Sequence, residues 1–177
     1  MNWPNEILFF WFDEMDPEDW WAKNDAIDSQ IKQRFLDLWK EQKSKTADDF
    51  LGSPETALAA IILFDQFPRN MFRDSADAFS TDHLAQQIAK KAVELELDQQ
   101  LPEQQRVFLY MPFMHAEDIQ MQNKSVTLFT KLGSNEKFAN EHRDVIATFG
   151  RFPHRNEVLG RQTRPEEQAA IDDGASW

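Results

Sequence analysis

The stretch Ser53-Pro54-Glu55-Thr56-Ala57-Leu58-Ala59-Ala60-Ile61-Ile62-Leu63-Phe64-Asp65-Gln66-Phe67-Pro68-Arg69-Asn70-Met71-Phe72-Arg73 decides the fold. Every residue from Ala57 to Phe64 is apolar, so a helix here has no polar face and must be covered on all sides. Ser53 is placed to cap it, Pro54 occupies the first turn where no N–H is required, and Glu55 faces the positive end. Pro68 disfavours helical geometry at Phe67 and cannot donate to the ladder. The chain is therefore expected to turn there, leaving Arg69, Asn70 and Arg73 beyond the helix end. Asp65, a carboxylate in an apolar last turn, needs cations or donors close by, and Arg69 and Arg73 are the nearest supply.

Around this helix the apolar spacing is helical throughout. A short helix is expected over 4–12, followed by a loop at Asp13-Glu14-Met15-Asp16. A second helical region is expected from Pro17 through Trp39, with Ile27, Ile31, Phe35, Leu38 and Trp39 on one face. Thr81 is positioned to cap a helix over about 82–97, with Leu84, Ile88, Val93, Leu95 and Leu97 as core candidates. The next helix starts near Pro102 and is interrupted by Pro112. Another opens at His115-Ala116-Glu117-Asp118 and ends at Gly133. Ser134 or Asn135 starts a helix that closes at Gly150 and Pro153. Thr163-Arg164-Pro165-Glu166 carries the capping-box pattern of a last helix. No strand is predicted, and the 177 residues read as a single all-α domain, 1–177.

Composition narrows the function classes. A net charge of −12 argues against nucleic acid and anionic membranes as partners. No segment is long and apolar enough for a signal-peptide core or a membrane span, so the expected location is the cytoplasm. With no cysteine there are no disulfides or thiolate sites. Five glycines in no phosphate-binding loop leave no nucleotide motif. The oligomeric state is not readable.

One echo runs through the chain: Gln66-Phe67-Pro68-Arg69-Asn70 recurs as Arg151-Phe152-Pro153-His154-Arg155-Asn156, each time closing an apolar helix. Arg73 follows the first copy and Arg161 the second, and the two helix ends are expected to face one another. Together with Arg106-Val107-Phe108-Leu109-Tyr110-Met111-Pro112-Phe113-Met114-His115-Ala116-Glu117-Asp118 and Leu159-Gly160-Arg161, these strings resemble an uncharacterised bacterial family, domain of unknown function 924. The resemblance covers essentially the whole chain. Ala116 stands where the family often has Ser, and Trp177 where Phe is usual. The resemblance implies an all-helical fold similar to tetratricopeptide-repeat superhelices, with extra terminal helices, and implies no established activity.

The residues themselves offer two readings. Asp65, Arg69, Asn70, Arg73, Arg151, Arg155, Asn156 and Arg161 can build a pocket for a small carboxylated or phosphorylated molecule, because forked guanidinium groups match such anions. They can equally pair with Asp65, Glu117 and Asp118 and tie helices together. His115 with Glu117 or Asp118 is a candidate acid–base pair, with His154 as a second base. The bland alternative is helix capping, which an acidic first turn serves without catalysis. His115, Glu117, Asp118, Glu141 and His142 could supply metal ligands, yet they match no ligand spacing, so no metal or cofactor is assigned. The rival to a ligand pocket is a non-catalytic helical-repeat module that holds a peptide or protein.

Overall fold

The computed structural model describes residues 2–174, and every regular element among them is helical. Helix α1 spans Trp3–Phe9 and continues as a π-helical turn, Phe10–Glu14. Helix α2 spans Asp25–Gln42. The central stretch forms α3, Pro54–Ile61, a π-helical turn, Ile62–Gln66, and α4, Phe67–Met71. There follow α5, Asp82–Glu94; α6, Glu103–Met114; α7, Ile119–Leu132; α8, Glu136–Phe149; and α9, Pro165–Asp172. Short 3-10 turns at Ala76–Phe79 and Pro153–Arg155 bear on the site described below. No helix among the described residues is long and apolar enough to cross a membrane.

The central helix is buried as its composition demands. Residues Ala57 to Phe64 are all fully buried, ringed by α1, α5 and α6. Ala57, Ala59 and Ala60 let the neighbours approach, while Leu58, Ile61, Ile62, Leu63 and Phe64 each contribute about 1.5–3 kcal/mol of burial. Ser53 caps the start, its Oγ accepting from Thr56 N at 3.1 Å.

Pro68 does not end the helix. The chain widens into a π-turn, in which Phe67 N–H bonds Ile62 O, and then continues helically through Pro68 to Met71. Because residue 68 has no N–H, the Phe64 carbonyl needs another donor, and the Thr81 hydroxyl supplies it at 2.7 Å. The Thr81 side chain therefore serves the π-turn rather than capping α5. The same hydroxyl accepts from Trp39 Nε1 at 3.2 Å, joining α2 to this junction.

Four other expectations shift. Helix α2 begins at Asp25 rather than Pro17, because the Asn24 side chain accepts from Ala26 and Ile27 N–H and fixes the start there. Helix α6 runs through Pro112 to Met114. Phe108, Leu109, Tyr110, Met111, Phe113 and Met114 are all buried, and their packing offsets a proline cost of about 3 kcal/mol. Helix α5 stops at Glu94, and Leu95 is exposed rather than core. The last helix is capped one residue later than expected, with Glu167 accepting from Arg164 N at 2.9 Å. Gly133 and Gly150 do end α7 and α8, with φ of 74° and 73°. The Trp177 departure lies outside the described residues.

Candidate functional site

The π-turn carries Asp65 into the interior, where the residue is fully buried. Gln66 Nε2 donates to Asp65 Oδ2 at 2.6 Å, and His115 Nδ1 lies 2.9 Å from both carboxylate oxygens. His115 stands at the C-terminal end of α6, held there because Gln122, buried on α7, donates to the Met114 and Ala116 carbonyls. Arg69, one helical turn beyond Asp65, contacts its Oδ1 at 3.4 Å and forks onto Asp82 at 2.8 and 2.9 Å. Asp82 is the first residue of α5.

The second helix end meets the first at Asp82. Arg155, on the Pro153–Arg155 turn, places Nη1 3.6 Å from Asp82 Oδ2 and donates to His115 O at 3.2 Å. Its guanidinium lies over two aromatic rings, 4.6 Å from the Phe79 ring centre and 4.4 Å from that of Phe152. The echo in the sequence thus brings Arg69 and Arg155 onto one carboxylate.

The electrostatics of this cluster are unequal. Burial would raise the Asp65 carboxyl, but Arg69 and His115 outweigh it and hold the group below the ordinary carboxylate range. Burial, reinforced by Arg69 and Arg155, lowers the His115 imidazole despite Asp65. At neutral pH the ring is neutral, with Nδ1–H donated to the carboxylate and Nε2 left as an acceptor. Arg69 is raised by its two carboxylates. Arg155 is lowered to about 10, first by burial and then by Arg69.

The remaining expected site residues go elsewhere. Asn70 and Arg73 both bond Asp28 on α2, the former at 2.8 Å and the latter bidentately at 2.7 and 2.8 Å. Arg151 grips the fully buried Glu167 at 2.7 and 2.9 Å; Asn156 joins it at 3.1 Å, and so does Arg164 at 2.7 Å. Glu117 accepts from Arg161 at 2.7 and 2.9 Å and from Phe152 N at 2.7 Å. Asp118 caps α7, accepting from Met121 N at 2.8 Å. It stands on a different helix from His115, so the carboxylate of the histidine is Asp65 and neither Glu117 nor Asp118. His154 sits beside Phe152, with ring centres 5.7 Å apart. Among the described residues no three His, Asp or Glu side chains form a set that could hold a metal ion.

Arg155 differs from its neighbours. Arg69, Arg73, Arg151 and Arg161 each give two nitrogens to a single carboxylate. Arg155 does not, and among the described residues its buried Nε has no acceptor; the buried Nε of Arg161 has none either, but both of that residue's terminal nitrogens are held by Glu117. The Nε–Nη2 edge is the one through which Arg73 and Arg151 hold their carboxylates, and among the described residues no carboxylate occupies it in Arg155. Near it stands the Asp65–His115 carboxylate–imidazole pair, the His115 carbonyl accepting from Arg155 Nη1. Such a pair can accept a proton from a bound molecule whose negative group the guanidinium orients.

Three of these residues carried no signal in the sequence. Asp82 and Phe79 lie in an irregular link and the start of an ordinary amphipathic helix, and Asp28 sits on a charged helix face. His142 is also buried nearby; its Nδ1 lies 2.8 Å from Phe138 O, and its ring meets Phe152 edge-on.

Residues 7–175 match the family model described as bacterial protein of unknown function DUF924. A solved structure of a protein of unknown function from Agrobacterium tumefaciens is 41% identical, with a TM-score of 0.91 over 97% of each chain. No curated protein matches.

Proposed function

Since this chain belongs to the bacterial family of domain of unknown function 924, its chemistry has to be argued from its own side chains, and we propose that it binds a small carboxylated or phosphorylated molecule on Arg155 beside the Asp65–His115 pair. The observation that carries the reading is the unfilled fork of Arg155. A guanidinium that is buried, set against two phenylalanine rings and left among the described residues without an acceptor at Nε costs stability. Its neighbours show how readily this fold fills such a fork with a carboxylate of its own. An anion supplied from outside would complete the geometry.

In this reading Arg155 orients the negative group, Asp82 and the His115 carbonyl hold Arg155 in place, and the His115 imidazole takes or returns a proton. Asp65 and Gln66 set the tautomer and ring orientation. The other motif arginines are ties between helices. The test is a thermal-shift screen with inorganic phosphate, citrate, succinate and phosphoenolpyruvate on the wild type and on Arg155→Met. A ligand that binds only the folded state raises its melting temperature. A shift in the wild type that vanishes in the variant supports the reading; equal shifts in both place the anion elsewhere.

A further inference from the structure

Arg155 is buried, and its Nε lies out of reach of water. An anion arrives at that edge only if part of the protein moves. Asp65, Asp82 and His115 do not supply the motion, because the π-turn, α5 and α6 that carry them are built into the apolar core. Arg155 is carried differently. Among the described residues the core has no member beyond Ala139, and the backbone hydrogen bonds of 151–174 all stay inside that segment. Its one large buried apolar side chain, Phe152, packs on His142 of α8 and on Arg155 and His154 of its own segment.

Within the segment Glu167 ties the parts to one another. It is the single buried residue of α9, and Arg151, Asn156 and Arg164, which donate to it, all belong to the segment. The segment is therefore stiff in itself. Among the described residues its hydrogen bonds to the rest of the protein, those of Arg155 and one from Arg164 to the Phe149 carbonyl aside, converge on Glu117. That carboxylate, in the link between α6 and α7, takes both terminal nitrogens of Arg161 and the Phe152 N–H. The Arg161 and Glu117 side chains are 23% and 27% exposed, so salt reaches and weakens the pair. The segment leaves α8 through Gly150, whose φ is 73° and where even an added Cβ would meet nothing within 4 Å.

We propose that 151–172 is a flap that turns about Gly150, is latched by Glu117, and opens to admit the anion to Arg155. This rests on the anion reading above and adds the route into the site. Opening bares the Phe152 ring, so the closed form predominates. Closing returns Arg155 to Asp82 and the His115 carbonyl and shuts water out around the bound molecule.

The test is nuclear magnetic resonance of proton exchange with water in the ligand-free full chain, comparing Phe152 N–H and Arg155 Nε–H with the amides of α3. Both protons should be protected on the order of a hundredfold less than α3, because the flap opens without global unfolding. Glu117→Gln should lower both protections further, on the order of tenfold, with α3 unchanged, and added salt should do the same to the wild type. Protection equal to that of α3, or a Glu117→Gln effect of the same size throughout the chain, overturns the flap. These rates need no ligand, so the two readings fail separately. A flap that opens in a chain binding neither phosphate nor citrate removes the anion reading, whereas anion binding at Arg155 with core-like protection removes the flap.

Discussion

Replacing each of the two arginines at Asp82 by methionine separates a tie from a ligand-holding group. Arg69 gives Asp82 a bidentate pair and also contacts Asp65, and both carboxylates are buried. Removing it takes the bidentate partner from Asp82, leaving only Arg155 at 3.6 Å, and takes the nearest full cation from Asp65, which costs about 3–5 kcal/mol. For a chain of this size that lowers the melting temperature by roughly 10 °C. Arg155 stands differently, because its cation is poorly compensated. Burial, with Arg69 beside it, brings its pKa down from the ordinary guanidinium range to about 10, which corresponds to about 3 kcal/mol against the charged form in the folded state. The sign follows from linkage. At neutral pH both folded and unfolded chains carry the proton, so the whole penalty falls on the native state, and it disappears only above the unfolded pKa. Arg155→Met relieves that penalty and loses one hydrogen bond and two ring contacts, about 0.5–2 kcal/mol each. The net change therefore lies between roughly 1.5 kcal/mol of stabilisation and 3 kcal/mol of destabilisation, at or below the cost of losing Arg69. Urea unfolding at pH 7, followed by circular dichroism, measures both. If Arg155→Met destabilises as much as Arg69→Met, Arg155 is a tie and the reasoning fails.

Three further outcomes follow from the same contacts. Thr81→Val leaves the Phe64 carbonyl and Trp39 Nε1 buried without partners and should cost ~2–4 kcal/mol in urea unfolding; a loss below about 0.5 kcal/mol would show that the proline-freed carbonyl needs no donor. Burial, helped by His115, Arg155 and His154, lowers His142 from 6.5 to about 3. The unfolded chain therefore binds the extra proton first, and stability should fall as pH drops from 6.5 toward 3, by up to about 1.4 kcal/mol per unit from this residue. Unfolding of His142→Gln across that range should show a shallower slope, and an unchanged slope would remove His142 from the account. Glu167→Gln breaks the point where Arg151, Arg164 and Asn156 meet, so hydrogen exchange should accelerate in α9 and not in α3; uniform acceleration would mean that Glu167 supports the whole core instead.

The fold could be read from the sequence where burial leaves no choice. Eight apolar residues in a row fix a covered central helix whatever surrounds it, and glycine after an apolar run fixes where α7 and α8 stop. Pro68 and Pro112 misled because local propensity was overridden by packing: a buried helix continues when another element can serve the carbonyl that proline abandons. Thr81, sixteen residues after Asp65 in sequence, gave no sign that it would do so. The site was half visible. The Phe-Pro-Arg-Asn echo pointed to two helix ends that meet, and they do so through Arg69 and Arg155. The partners were not visible, since the carboxylate that orients His115 lies fifty residues upstream while Glu117 and Asp118 are adjacent and bind other groups. Chain proximity favoured the wrong acids, and only the tertiary fold distinguishes Asp65, Asp82 and Glu167 from the acids around them.

The most direct test of the central claim is nuclear magnetic resonance of the arginine Nε–H groups during titration of the wild type with phosphate and with citrate. Hydrogen bonding to an anion moves such a proton downfield. A saturable downfield shift is expected at Arg155, with Arg73 and Arg151, whose Nε–H groups are already bound to Asp28 and Glu167, unmoved. A titration in which Arg155 stays still, or in which exposed arginines alone respond, would contradict it.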